Sequence, residues 1–204
     1  MNRLAMAVLA VAACVPAGVR AQGARAEFNF GAGATVPSGQ FSDHNPMGYH
    51  VTAGVGVTPP GSSLGFRVEG LYDAFNGRDN YVLVCGGSDP CSRQSYAAGL
   101  TFNLKFEGML PYNERPGERR RGGRSTLYVI GGYGIYDVRA ATQPVFTPAG
   151  VVGYANRTRA YGGFNVGGGL RVPAGTASIY VEARLHTLSQ DGIRFVPITL
   201  GVIF

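Results

Sequence analysis

Charged residues recur at every second position in several apolar stretches of this chain. Arg67, Glu69 and Asp73 alternate with Phe66, Val68, Gly70 and Tyr72. Lys105 and Glu107 alternate with Leu104 and Phe106, and Glu182 and Arg184 with Val181, Ala183 and Leu185. Arg171 stands between Leu170 and Val172. A period of two puts each charged set on one face of a strand and the apolar set on the other. Ionisable groups gathered on one face could line a polar passage for ions or small solutes. The favoured reading is that they satisfy one another as internal salt bridges that plug a barrel only just wide enough for its side chains. Hydrolysis would need a nucleophile and a base together. The candidate is His186-Thr-Leu-Ser189, with Asp191 beyond it, and its bland reading is a set of polar rim residues. His50 reads as a lining side chain rather than a base.

Cofactor and metal chemistry find little support. The glycine clusters, such as Gly131-Gly132-Tyr-Gly134 and Gly167-Gly168-Gly169, are not followed by Lys-Ser/Thr or by a helical pattern, so they are not phosphate loops. Small residues for a crowded interior explain them better. Cys85 and Cys91 form an even pair in Cys-Gly-Gly-Ser-Asp-Pro-Cys, and none of His44, His50 or His186 lies close in sequence. In an oxidising compartment the pair predicts a short disulfide-closed loop rather than a metal site. No cofactor and no metal are expected.

The elements that position these residues are eight alternating stretches separated by turn signals. They run over about Glu27–Val36, Tyr49–Thr58, Leu64–Phe75, Tyr96–Gly108, Thr126–Val138, Ala160–Val172, Ala177–His186 and Ile193–Phe204. In the first, Phe28 and Phe30 oppose Glu27 and Asn29. In the fifth, Leu127, Val129, Gly131, Tyr133 and Ile135 are expected to face out, though Tyr128 and Ile130 leave the choice of face open. The last places Val196, Ile198, Leu200, Val202 and Phe204 on one wholly apolar face. Pro59-Pro60-Gly61 and Pro173-Ala-Gly-Thr mark short turns, while Pro37 to Pro46, Asn76 to Ser92 and Arg139 to Arg157 read as longer loops. Strands of about ten residues, joined by alternating long and short connections, fit a membrane-spanning β-barrel. An Arg or Lys facing lipid near the midplane would cost roughly 2–4 kcal/mol, so the charges are expected to face inward. Two features resist the scheme: the basic connection Pro111 to Arg124 at an end where turns should be short, and Pro197 inside a strand that has no free edge.

Composition agrees. Charged residues make up 15% of the chain, against about 25% in an ordinary soluble domain. Gly numbers 32, Tyr and Phe eleven each, and Trp is absent. Residues 1–21 have a short basic start, an apolar run from Leu4 to Val15 and a compact Val19-Arg20-Ala21, and are expected to be a signal peptide. Val11-Ala12-Ala13-Cys14 offers a rival, lipoprotein-like cut that would make Cys14 a lipidated terminus. Residues 22–204 form one domain. The net charge of +6 falls to +4 without Arg3 and Arg20, and most of the excess lies in Arg115 to Arg124, so no nucleic-acid surface is expected. That basic run could lie against anionic head groups or simply be a solvated turn.

The chain resembles the small eight-stranded OmpA-type barrels of the bacterial outer membrane, including the opacity-like porin family. The resemblance rests on the leader, on Phe28-Asn-Phe-Gly-Ala-Gly-Ala followed by Pro37-Ser-Gly, on the alternation, and on the closing Pro197-Ile-Thr-Leu-Gly-Val-Ile-Phe204. It implies an all-β, antiparallel up-and-down barrel in the outer membrane, with lipid and the barrel-insertion machinery as partners. In that family the terminal aromatic is part of the insertion signal. It implies a monomer and no particular extracellular ligand. Such barrels include anchors, surface-interaction proteins, narrow channels and a few lipid enzymes, so function is not specified. The leading expectation is a structural or surface-interaction role without catalysis; a narrow porin and a lipid-modifying enzyme are the alternatives. His186 and Ser189 are similar to the pair in outer-membrane lipid A deacylases, but the spacing departs from the His-x-Ser pattern of that family.

Overall fold

The computed structural model describes residues 24–43, 45–75, 95–110, 125–147, 150–189 and 192–204. The expected leader with Cys14, the Cys85–Cys91 loop, Asp191 and the basic run 111–124 lie outside the described residues.

Eight strands follow one another: β1 Arg25–Ser38, β2 Gly48–Thr58, β3 Leu64–Phe75, β4 Ser95–Met109, β5 Thr126–Thr147, β6 Gly150–Ala174, β7 Ala177–Leu188 and β8 Arg194–Ile203. Each pairs antiparallel with its sequence neighbours, and β8 returns to β1 to close the barrel. Strand propensity and alternation account for the wall. Phe28, Phe30, Val51, Phe66, Phe102, Leu104, Phe164 and Ile179 project outward, while Asn29, His50, Arg67, Asn103, Asn165 and Tyr180 are buried inside. The face left open on β5 is decided: Tyr128 and Ile130 point inward, only 4% and 2% exposed.

The two ends of the barrel differ. At the turn end, Ser62 N–H donates to the Pro59 carbonyl at 3.2 Å, with Gly61 at φ 68° between them. Proline before a positive-φ glycine is the signature of a type II turn. Gly175, at φ 67°, makes the tight link between β6 and β7. At the loop end, a 3-10 helix, Gly39–Asp43, turns Phe41 down onto the barrel mouth.

Two expectations need correction. The stretch from Arg139 to Arg157, read as a loop, is mostly strand: the β5–β6 ladder continues to Thr147↔Gly150. Pro144 did not stop it, because Pro144 pairs with Tyr154 in a part of the ribbon that borders no other described strand, and register shifts at Ala141/Gln143 and Val145/Phe146 take up the irregularity. Pro37 and Pro173 likewise lie inside β1 and β6 rather than beyond them. Pro197, for its part, introduces no register shift. The β7–β8 ladder lapses for two pairs, opposite Pro197 and Val196, and resumes in the same register. Phe28 and Phe204 exchange backbone hydrogen bonds, so even-numbered residues of β8 face β1 and the nitrogen of Pro197 faces β7. The ladder lapses on the side where the proline lacks a donor.

Candidate functional site: a charge-paired lumen

The inward polar side chains form tiers, set by the height at which each strand carries its charge. Nearest the turn end, Glu27 of β1 lies between two cations brought from across the lumen. Lys105 Nζ is 2.7 Å from its Oε2, and Arg171 Nη1 is 2.5 Å from its Oε1. Lys105 also reaches Glu107 at 2.7 Å, and Arg171 Nη1 lies 3.8 Å from Glu107. Below this tier opens a cavity of about 460 Å³, lined in part by Arg25, Glu107, Thr126 and Arg171.

The middle tier is a closed quartet of alternating sign. Arg67 Nη1 donates to Glu182 at 2.9 Å and to Glu69 at 3.3 Å. Arg184 Nη1 reaches the other oxygen of Glu69 at 2.7 Å, and its Nη2 donates to Glu182. Neutral donors fill the remaining lone pairs: Asn29 to Glu69 at 2.8 Å, Asn103 to Glu69 at 3.3 Å, and the Tyr128 hydroxyl to Glu182 at 2.9 Å. The guanidinium carbon of Arg67 lies 5.5 Å from the Tyr128 ring centre and 5.9 Å from that of Tyr180, so both ring faces add to its charge pairing. Glycines on neighbouring strands give these tyrosines room. A Cβ at Gly169 would stand 2.5 Å from the Tyr128 ring, and one at Gly31 or Gly201 would collide with Tyr180.

Above the quartet, His50 Nδ1 meets Asp73 at 2.9 Å, and the Tyr136 hydroxyl meets His186 Nδ1 at 2.8 Å. His186 stacks on Phe195 at 5.0 Å with an interplanar angle of 4°. Phe195, Phe75 and Phe41 then meet edge to face at 5.8 and 5.0 Å. With Leu71, Tyr136, Val138, Leu188 and Ile193 they form a buried apolar plug across the loop end.

A buried charge is costly unless it is paired and hydrogen-bonded. Here each cation is matched to a carboxylate within the wall itself, in a barrel barely wide enough to hold its side chains. The arrangement braces the interior.

Of the residues singled out in the sequence, Arg67, Glu69, Glu182 and Arg184 come together in the quartet. Lys105, Glu107 and Arg171 meet in the lower tier, and Asp73 stands apart with His50. Val196, Ile198, Leu200, Val202 and Phe204 share the outward face of β8, with Leu200 and Phe204 the most open. His186 and Ser189 do not form a catalytic pair: the imidazole is buried between Tyr136 and Phe195, while Ser189 is exposed at the rim. Glu27, Asn29, Tyr128 and Tyr180 were not singled out. The inward parity of Glu27 and Asn29 was the available signal.

Neither a family model nor a curated protein sequence matches the chain. Among solved structures, Neisserial surface protein A (NspA) aligns over 89% of this chain and 98% of its own, with a TM-score of 0.55 and 12% identity. The fold is that of the small eight-stranded outer-membrane barrels. The barrel of Ail from Yersinia pestis aligns over 89% of this chain and 97% of its own at a TM-score of 0.47 and 15% identity. The N-terminal barrel domain of Pseudomonas aeruginosa OprF covers 90% and 98%, at 0.47 and 10%. At 12% identity the likeness to NspA is one of fold.

Proposed function

We propose that this chain is an outer-membrane barrel protein with a structural or surface-interaction role, exerted through its loop end outside the cell. The observation that carries the reading is the lumen: tiers of matched charge beneath an apolar plug serve stability and leave the work to surfaces beyond the wall.

The outer surface supports the bilayer. Phe164 is 68% exposed and Leu200 60%, within a continuous belt of apolar side chains that water would not tolerate. From Tyr96 to Phe106, ten residue steps along β4, a rise of about 3.3 Å and a tilt of about 40° give a band of about 25 Å, the height of the apolar band in such barrels. Aromatic residues mark both borders. Tyr49, Tyr72 and Tyr96 stand side by side near the loop end, 6.2 and 5.8 Å apart, and Phe66, Phe106 and Phe204 flank the turn end. We assign no catalytic role, since the imidazole of His186 is enclosed.

Cell fractionation with gel mobility before and after heating tests the reading. A heat-modifiable band in the outer-membrane fraction is expected; a soluble protein with no shift would overturn it. The narrow-porin alternative draws on the cavity at the turn end, which would serve as a vestibule. Single-channel recording separates the two: silence is expected, and discrete conductance steps would favour the porin.

A further inference from the structure

The ribbon that β5 and β6 raise above the barrel has one edge that is protected and one that is not. Pairing with β4 ends at Tyr96↔Arg139, and pairing with β7 begins at Gly163↔Leu188. Beyond those points, among the described residues, the stretches 140–147 and 150–158 pair with each other alone. The direction of the backbone follows from one bond: Ser189 N–H donates to the Gly162 carbonyl at 2.9 Å, so Gly162 faces the β7 side. Alternate residues of a strand point their N–H and C=O the same way. No extra residue interrupts β6 between Tyr154 and Gly162, so Tyr154, Asn156 and Thr158 also point away from β5. Leu188 N–H bonds to Ile193 O at 3.0 Å, so β7 and β8 are already joined to each other at that level.

On β5 the edge is blunted twice. Thr142 is the extra residue of a bulge, and Pro144 pairs with Tyr154, a residue whose own bonds point outward, so the proline nitrogen occupies the outer edge. The segment Gly153–Thr158 of β6 carries neither device within it; β6's own extra residue, Val152, marks where the segment ends. Charge narrows the occupant. Between Gly134 and Gly163, which pair with each other, the chain holds Arg139, Arg157 and Arg159 against one acid, Asp137, at the base of the ribbon. Two copies paired edge to edge would bring like charges together, which is unfavourable, whereas an acidic strand would be attracted.

We propose that the outer edge of β6 from Gly153 to Thr158 receives an extended, carboxylate-bearing polypeptide segment as an added strand. This rests on the surface-interaction reading and names the class of partner. Backbone bonds would supply the affinity and the arginine-bearing ribbon the selectivity.

The test titrates a fluorescent peptide, Glu-Val-Thr-Val-Glu-Val-Thr-Val, against the purified full chain in lipid nanodiscs. Saturable binding is expected, weakened at least tenfold by N-methylation of alternate peptide amides, by Lys in place of Glu, and by Asn156→Pro. That variant removes an outward N–H while sparing the bonds to β5, and heat-modifiable mobility checks its folding; Arg157→Glu serves if it does not fold. No binding, or equal binding of the N-methylated peptide, would overturn the inference. Cells displaying the wild type, or a form with residues 141–156 replaced by an Asn-Gly turn, are then compared for adherence to a serum-coated surface. Unchanged adherence of the shortened form would sink the β6 edge and spare the surface-interaction reading. No adherence of the wild type above that of cells lacking the protein would sink that reading itself.

Discussion

Glu69 is the acceptor on which the middle of the lumen depends, taking bonds from Arg67, Arg184, Asn29 and Asn103. Removing one member of a buried ion pair costs about 3–5 kcal/mol, because the partner charge stays behind. Glu69→Ala leaves two guanidinium groups to share Glu182. It is therefore expected to lower stability by about that amount in urea unfolding of the lipid-folded protein. Glu107→Ala, in a side chain bordering the turn-end cavity, should cost well under half as much. Equal losses would mean that the quartet has no special standing. The inward direction of these charges was legible, since it follows from alternation alone. Their partners were not. Glu27 meets Arg171 across 144 positions of sequence, and that meeting depends on the stagger of eight strands around a closed wall.

At the scale of single strands, β8 shows what alternation can decide. Its outward face is apolar from Val196 to Phe204, and its inward face holds Phe195, Thr199 and Ile203, all buried. Leu200→Arg places a charge near the middle of the apolar band and should destabilise the bilayer-inserted barrel by about 2–4 kcal/mol, read from unfolding in liposomes. Thr199→Val, one residue away and inward, should change little; a reversed order would invert the assigned faces. Every strand was visible in the sequence, yet the length of β5 and β6 was not. Pro144 and Pro148 lie in the stretch read as a loop, and a proline inside a sheet ordinarily loses a bond. Pro144 loses none, since its nitrogen lies on an outer edge. Whether a given nitrogen faces a neighbour is a matter of register, which local sequence does not carry. The 3-10 helix that brings Phe41 over the mouth was hidden in the same way, inside a stretch whose Pro, Ser and Gly marked only a loop.

For the molecule as a whole, closure has two independent parts, the plug at the loop end and the quartet beneath it. Phe195→Ala removes the ring against which Phe75 and His186 pack, but the quartet still fills the lumen below. Planar-bilayer recording should therefore find wild type, Phe195→Ala and Arg67→Ala all silent, and steps of small conductance only when both changes are combined. Conductance from Phe195→Ala alone would show that the charge tiers admit ions and that the plug alone shuts the path. The barrel topology was legible from strand number, connection lengths and the apolar outer face together. A lumen filled by its own ion pairs was expected as well; the pairing and the apolar plug above it were not, because they depend on side chains from all parts of the chain meeting at one height.

The lapse in the ladder at Pro197 gives this closed wall a seam. Around the rest of the barrel, neighbouring strands are stitched without a gap of this kind; between β7 and β8, two successive pairs are missing. Thermal opening of the cylinder should begin there, much as cloth parts where a stitch has been dropped. Directly opposite Pro197 on β7 stands Arg184, whose guanidinium is anchored to Glu69 on β3 and to Glu182. The quartet thus works as a set of spokes. It ties the strand opposite the proline to the far side of the lumen, and so gives a charge that alternation could only send inward a place beside the gap in the wall.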